Sequence, residues 1–185
     1  MEVFNSPQSI SPEINFVREG IKIGFINAAI ALLLMFGSYF AGLDAFVTTQ
    51  FISRFIPYMM IILIVYGLQL RKRNGGYLAF KDALRYSFMS YVIVAILVAI
   101  GTYILFNTID KDLTLKTFDL SLEKMRNTFT SMGMSEEEVE KAMGGREAQR
   151  TDLKTIFLGT GMGLIWDFVL SLIVSIIIRR EKPVF

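Results

Sequence analysis

From Tyr86 to Ile109 the chain runs for 24 residues without one charged side chain. At 1.5 Å per residue a helix of that length more than covers the roughly 30 Å hydrocarbon core of a bilayer. In lipid a helix is also the simplest element that satisfies every backbone N–H and C=O within a single segment. Three further blocks resemble it. Residues 20–41 are apolar except for Lys22 near the start, Asn27, and Ser38 and Tyr39 near the end. Residues 51–70 carry Arg54 and Pro57 in their first two turns, and residues 156–178 carry a single charge, Asp167. With 53% hydrophobic residues and a mean hydropathy of +0.49, clumped into blocks instead of spread at helical spacing, lipid is a better solvent for this chain than water. The expected fold is an all-α membrane protein: an antiparallel bundle of four transmembrane helices, spans 20–41, 51–70, 86–109 and 156–178. A signal peptide is the competing reading of the first block, but the apolar run is too long for it and no small-x-small cleavage site follows.

The connecting segments set the expected orientation. Residues 1–19 read as a polar leader, with Pro7 and Pro12. The leader with Lys22 supplies two Lys or Arg, the first loop one (Arg54), the second loop five (Arg71, Lys72, Arg73, Lys81, Arg85), and the tail, residues 179–185, three (Arg179, Arg180, Lys182). Cytoplasmic loops carry the excess of these residues, so the second loop, the tail and the N-terminus are expected in the cytoplasm. Residues 77–85 read as a short interfacial helix leading into the third span.

Residues 110–155 differ in composition, with ten acidic and eight basic side chains, and read as a water-facing insertion between spans three and four. Phe118, Leu122, Met125, Phe129 and Met132 alternate spacings of four and three, which makes one apolar helix face. Ser135 and Glu138 stand at capping-box spacing, with Glu136 and Glu137 favouring a helix start. Met132-Gly133-Met134 is then the turn of a helical hairpin whose second arm ends before Gly144 and Gly145.

The chain has no cysteine and no histidine, which removes disulfides, thiol and imidazole catalysis and the common zinc and haem ligand sets. A net charge of +2 gives no basis for nucleic-acid binding. No catalytic, cofactor-binding or metal-binding residue is expected.

Three features together resemble the domain-of-unknown-function 4199 family, small membrane proteins of Bacteroidetes-type bacteria. These are the order of four spans, the segment Asn74-Gly75-Gly76-Tyr77-Leu78-Ala79-Phe80-Lys81-Asp82-Ala83-Leu84, and the segment Gly133-Met134-Ser135-Glu136-Glu137-Glu138-Val139-Glu140-Lys141-Ala142-Met143. The likeness runs from about Gly20 to Lys182. It implies an inner-membrane location and a periplasmic outer loop, and it brings no catalytic residues.

Three candidate sites follow from the residues. Asp167 stands near the middle of its span, where an aspartate costs roughly 2.5–3.5 kcal/mol, so it should face protein or water. It shares a stripe at intervals of four with Gly159, Gly163, Ser171 and Ser175. This stripe reads either as a packing face, with Asp167 satisfied by a partner such as Asn27 or Tyr66, or as a proton, ion or substrate pathway. Arg71, Lys72 and Arg73 read as a positive-inside stop signal or as a contact for anionic lipid headgroups. The loop face from Phe118 to Met132 needs cover from the second arm, the membrane surface, a second copy of the chain or another periplasmic partner. The expected function is that of a non-catalytic scaffold or accessory subunit acting through the hairpin. The alternatives are a small transporter or channel using Asp167, and a protein acting on lipid phosphates.

Overall fold

A computed structural model describes residues 14–53, 56–144 and 151–183. Among these the chain forms seven α-helices and no strand: α1 (Phe16–Phe40), α2 (Leu43–Ser53), α3 (Tyr58–Arg73), α4 (Phe80–Ile104), α5 (Leu113–Ser131), α6 (Glu136–Met143) and α7 (Leu153–Ile178). The leader up to residue 13, Arg54 and Gly145 lie outside the described residues. By length and composition, α1, α4 with its continuation, and α7 are each long and apolar enough to cross a membrane, and α2 with α3 makes a fourth if the bent pair is one span. The chain is thus a multi-pass membrane protein.

Helix boundaries follow local chemistry. Asn15 caps α1 by accepting from the Arg18 N–H at 3.0 Å, which starts the helix four residues earlier than the apolar block. The second block is not one helix over 51–70. The supposed loop before it is itself helical as α2, and the pair is bent by 50° around Pro57, which caps α3. Proline donates no N–H and its ring crowds the carbonyl four residues back, so a helix running through Pro57 is broken there. The short interfacial helix expected over 77–85 to lead into the third span starts at Phe80 and continues into that span without a break. From Phe80 those residues are the first turns of α4, because Ala83, Tyr86 and Ser87 are buried along one continuous face. At its far end α4 loosens into a π-helical turn, Leu105–Ile109.

Contacts give each helix a direction. α4 lies centrally, between α1 on one side and α7 on the other. Gly20 lies against the Tyr86 carbonyl, a Cβ on Gly24 would come within 3.0 Å of the Ser90 carbonyl, and Gly101 lies against Leu32. Small residues at successive levels let α1 and α4 run parallel at close range. α7 runs the other way. Its C-terminal Ser175 Oγ is 3.0 Å from Ser87 Oγ near the start of α4, and Phe168 meets Phe88 edge to face. α3 also opposes α1, because its C-terminal Arg73 reaches Glu19 at 3.8 Å.

The two ends have different cores. At the basic end Ile23, Leu63, Leu70, Tyr86, Val174 and Ile178 pack together. There the backbone of Leu78 pairs antiparallel with that of Arg180, and the Phe80 N–H donates to Glu181 Oε1 at 3.0 Å. At the hairpin end Met35, Phe46, Leu105 and Leu113 form a second core. The hairpin has the expected form. Gly133 turns it at a φ of +85°, the left-handed region that glycine enters without strain, and Ser135 and Glu138 complete a capping box on α6.

Candidate functional site

Between the two cores α7 stands away from the bundle and leaves a partly open cavity of about 870 Å³. Ala31, Leu34 and Met35 of α1, the α2–α3 break at Ile56 and Pro57, and Val94, Val98 and Thr102 of α4 form one wall. Gly159, Gly163, Trp166 and Asp167 of α7 form the other. The walls are apolar at depth and polar toward the hairpin end, where Thr49, Gln50, Ser53, Thr151, Thr155 and Thr160 line the space. The break between α2 and α3 therefore does more than bend a helix, since it supplies part of the cavity wall.

Asp167 stands 14 residues from the start of α7, about 21 Å along its axis. Its side chain is half-buried, and Tyr91 faces it across the same cavity. Neither partner suggested by the sequence reaches it. The Tyr66 hydroxyl donates to Glu19 Oε2 at 2.6 Å, at the basic end. Asn27 is 1% exposed, and among the described residues its amide has no hydrogen-bond partner. The Ser90 and Tyr91 hydroxyls are buried and unpartnered in the same way. Leaving a buried polar group unpaired costs about 1–3 kcal/mol, so unmet hydrogen-bonding capacity is concentrated at this depth.

The small-residue stripe on α7 divides in two. Ser171 and Ser175 are buried and pack on α4, where Ser87 Oγ donates to the Ser171 carbonyl at 3.2 Å. A Cβ built on Gly159 or Gly163 would meet nothing within 4 Å, so in this half the glycines are cavity wall and not a packing face.

The basic cluster does not converge on a common point. Arg71 donates to the Ile178 carbonyl at 3.3 Å at the end of α7, Arg73 pairs with Glu19, and Lys72 is exposed. Glu19 itself was not singled out by the sequence, although it is 6% exposed and also holds Lys22 at 2.6 Å. Its place in the first turn of α1, four residues before Ile23 in the core, was the only available signal.

On the hairpin, Phe118, Leu122, Met125 and Phe129 are half-buried, while Met132 at the turn is 73% exposed. α5 packs on α2 and α6. Lys124 joins it to α2 through Asp44 at 2.7 Å and the Thr48 hydroxyl at 2.7 Å. The chain thus covers much of this face itself. Outside the spans, hydrogen bonds from Ser135 hold the Glu138 carboxyl below its ordinary range, and the Thr155 N–H does the same for Asp152 at the N-cap of α7.

The cavity therefore joins a lone carboxyl, two phenols (Tyr58 and Tyr91) and several hydroxyls on apolar walls. Among the described residues no group of three acidic side chains comes together to hold a metal ion. Comparison with curated proteins and with solved structures returns no match. The model of one family, described as protein of unknown function (DUF4199), matches residues 22–180. The match takes in α2 to α7 whole and α1 from residue 22 onward, and the chain belongs to the DUF4199 family.

Proposed function

We propose that this chain is a four-pass inner-membrane protein, with both termini cytoplasmic, that binds a small apolar or amphiphilic molecule in the cavity beside Asp167 without transforming it. The observation that carries the reading is the cavity itself. At about 870 Å³ it lies within the range of about 300–1,000 Å³ usual for ligand sites, with convergent polar groups on apolar walls. Counting α2 with α3 as one crossing is supported by their contacts, which run from Lys124 of the hairpin to Glu19 of α1. The basic residues at the ends of α3 and α7 support a cytoplasmic placement of that end. A second reading keeps the hairpin as a docking element for a second copy or a periplasmic partner, supported by the exposure of Met132.

Trp166 provides the test, since it is the chain's single tryptophan and lines the cavity. A neutral apolar fluorophore, N-phenyl-1-naphthylamine, is titrated into the full chain in uncharged detergent and read by energy transfer from Trp166. Saturable transfer, lost in Gly163→Leu at unchanged thermal stability, is expected. Transfer that rises without saturation in both proteins would remove the cavity as a binding site.

A further inference from the structure

We infer that the ligand of this cavity is an organic cation with an apolar body: an ammonium or similar onium group on a hydrophobic frame, its charge set against Asp167. The inference rests on the binding reading above and names the class of ligand. The first argument is charge. Asp167 is the one carboxyl among the residues lining the cavity, and no Lys or Arg stands with it there. Tyr91 faces it from α4, α3 contributes Tyr58, and α1 and α2 contribute no titratable group to the wall. Among the described residues Asp167 makes no ion pair, and its carboxylate takes no hydrogen bond from another side chain. An anionic ligand would place its charge against this carboxylate with no basic residue in the wall to offset it. A cation, by contrast, supplies the charge that a carboxylate at this depth lacks.

The second argument is the chemistry of the wall. Tyr58, Tyr91 and Trp166 line the same space, and aromatic faces attract ammonium groups through the ring quadrupole, most strongly when water is excluded. The Tyr91 hydroxyl, on a side chain 4% exposed, has no partner among the described residues, which leaves a polar group unsatisfied in the wall. The apolar remainder of the ligand then lies along Leu34, Val94, Val98 and Leu170.

The test uses two ions of nearly equal shape and opposite charge, tetraphenylphosphonium and tetraphenylborate. Each is titrated against the bound fluorophore in the full-length wild type, Asp167→Asn and Asp167→Glu, with thermal stability followed throughout. The cation should displace the fluorophore at a concentration at least tenfold below that of the anion in the wild type and in Asp167→Glu. The preference should vanish in Asp167→Asn, which still binds the fluorophore and so still has its cavity. Equal displacement by both ions in the wild type, or a preference that survives Asp167→Asn, overturns the cation assignment and leaves the cavity reading standing. Failure of the fluorophore itself to saturate in the wild type overturns both.

Discussion

Glu19 organises the basic end of the protein. It accepts from Lys22 and from the Tyr66 hydroxyl, each at 2.6 Å, and draws Arg73 to 3.8 Å, so one carboxylate ties α1 to α3. Hydrogen bonds to charged groups contribute about 1.5–3 kcal/mol. The cationic partners are more than half exposed, so solvent screening lowers that figure here. Glu19→Gln should therefore cost about 1–2 kcal/mol, read as a lower melting temperature in detergent. Tyr66→Phe should cost about 1 kcal/mol, and the double variant should lose less than the sum, because the two share one bond. Strict additivity would show that the contact contributes nothing. Asp167 stood out in the sequence because a charge inside an apolar run is conspicuous. Glu19 did not, because it stands among polar residues, and its burial depends on α3, which is distant in sequence.

Among the elements, the hairpin and the α1–α4 pair make separate predictions. The Glu138 carboxyl is held below its ordinary range by hydrogen bonds from Ser135. A carboxylate whose folded value is depressed adds stability that is fully present above the unfolded value and is lost as pH falls through the folded one. Protection of the α6 amides against hydrogen exchange should accordingly fall as pH drops below the ordinary glutamate range. Ser135→Ala should lower it already at neutral pH and flatten that dependence. Protection independent of pH and of Ser135 would remove the capping box as the cause. For the helix pair, Gly24→Leu forces a side chain against Ile93 and the Ser90 carbonyl, and overpacking of this kind costs about 1–3 kcal/mol or more. Gly159→Leu meets open space, so melting temperatures should separate the two variants clearly, and equal loss in both would contradict the packing. The hairpin was legible because its turn, cap and apolar spacing are all local. The break between α2 and α3 was only half legible: Pro57 was visible, but its position read as the start of one helix instead of a joint between two.

For the whole molecule, the arrangement of helices fixes which segments share an end. The start of α1, the end of α3, the start of α4 and the end of α7 meet through Glu19–Arg73, Leu78–Arg180 and Arg71–Ile178, while α5 joins α2 at the other end. Topology reporters fused after Arg73 and after Lys182 should give the same, cytoplasmic signal, and one after Ser131 the periplasmic signal. A cytoplasmic signal after Ser131 would remove the four-pass arrangement.

The amino-acid order alone determined that this chain belongs in a membrane, where its long apolar helices lie, and that a capped hairpin separates the last two of them. Those properties depend on residues near one another in sequence, on runs of hydropathy, on caps and on turns. Tertiary structure decided the rest. The serines of the α7 stripe pack and its glycines do not, because α4 covers one half of the helix and leaves the other open. Asp167 faces Tyr91 and not Asn27 or Tyr66, and the cavity exists because α7 departs from the bundle where α2 and α3 break. A void between helices depends on the angles at which they meet, and no single segment carries that information.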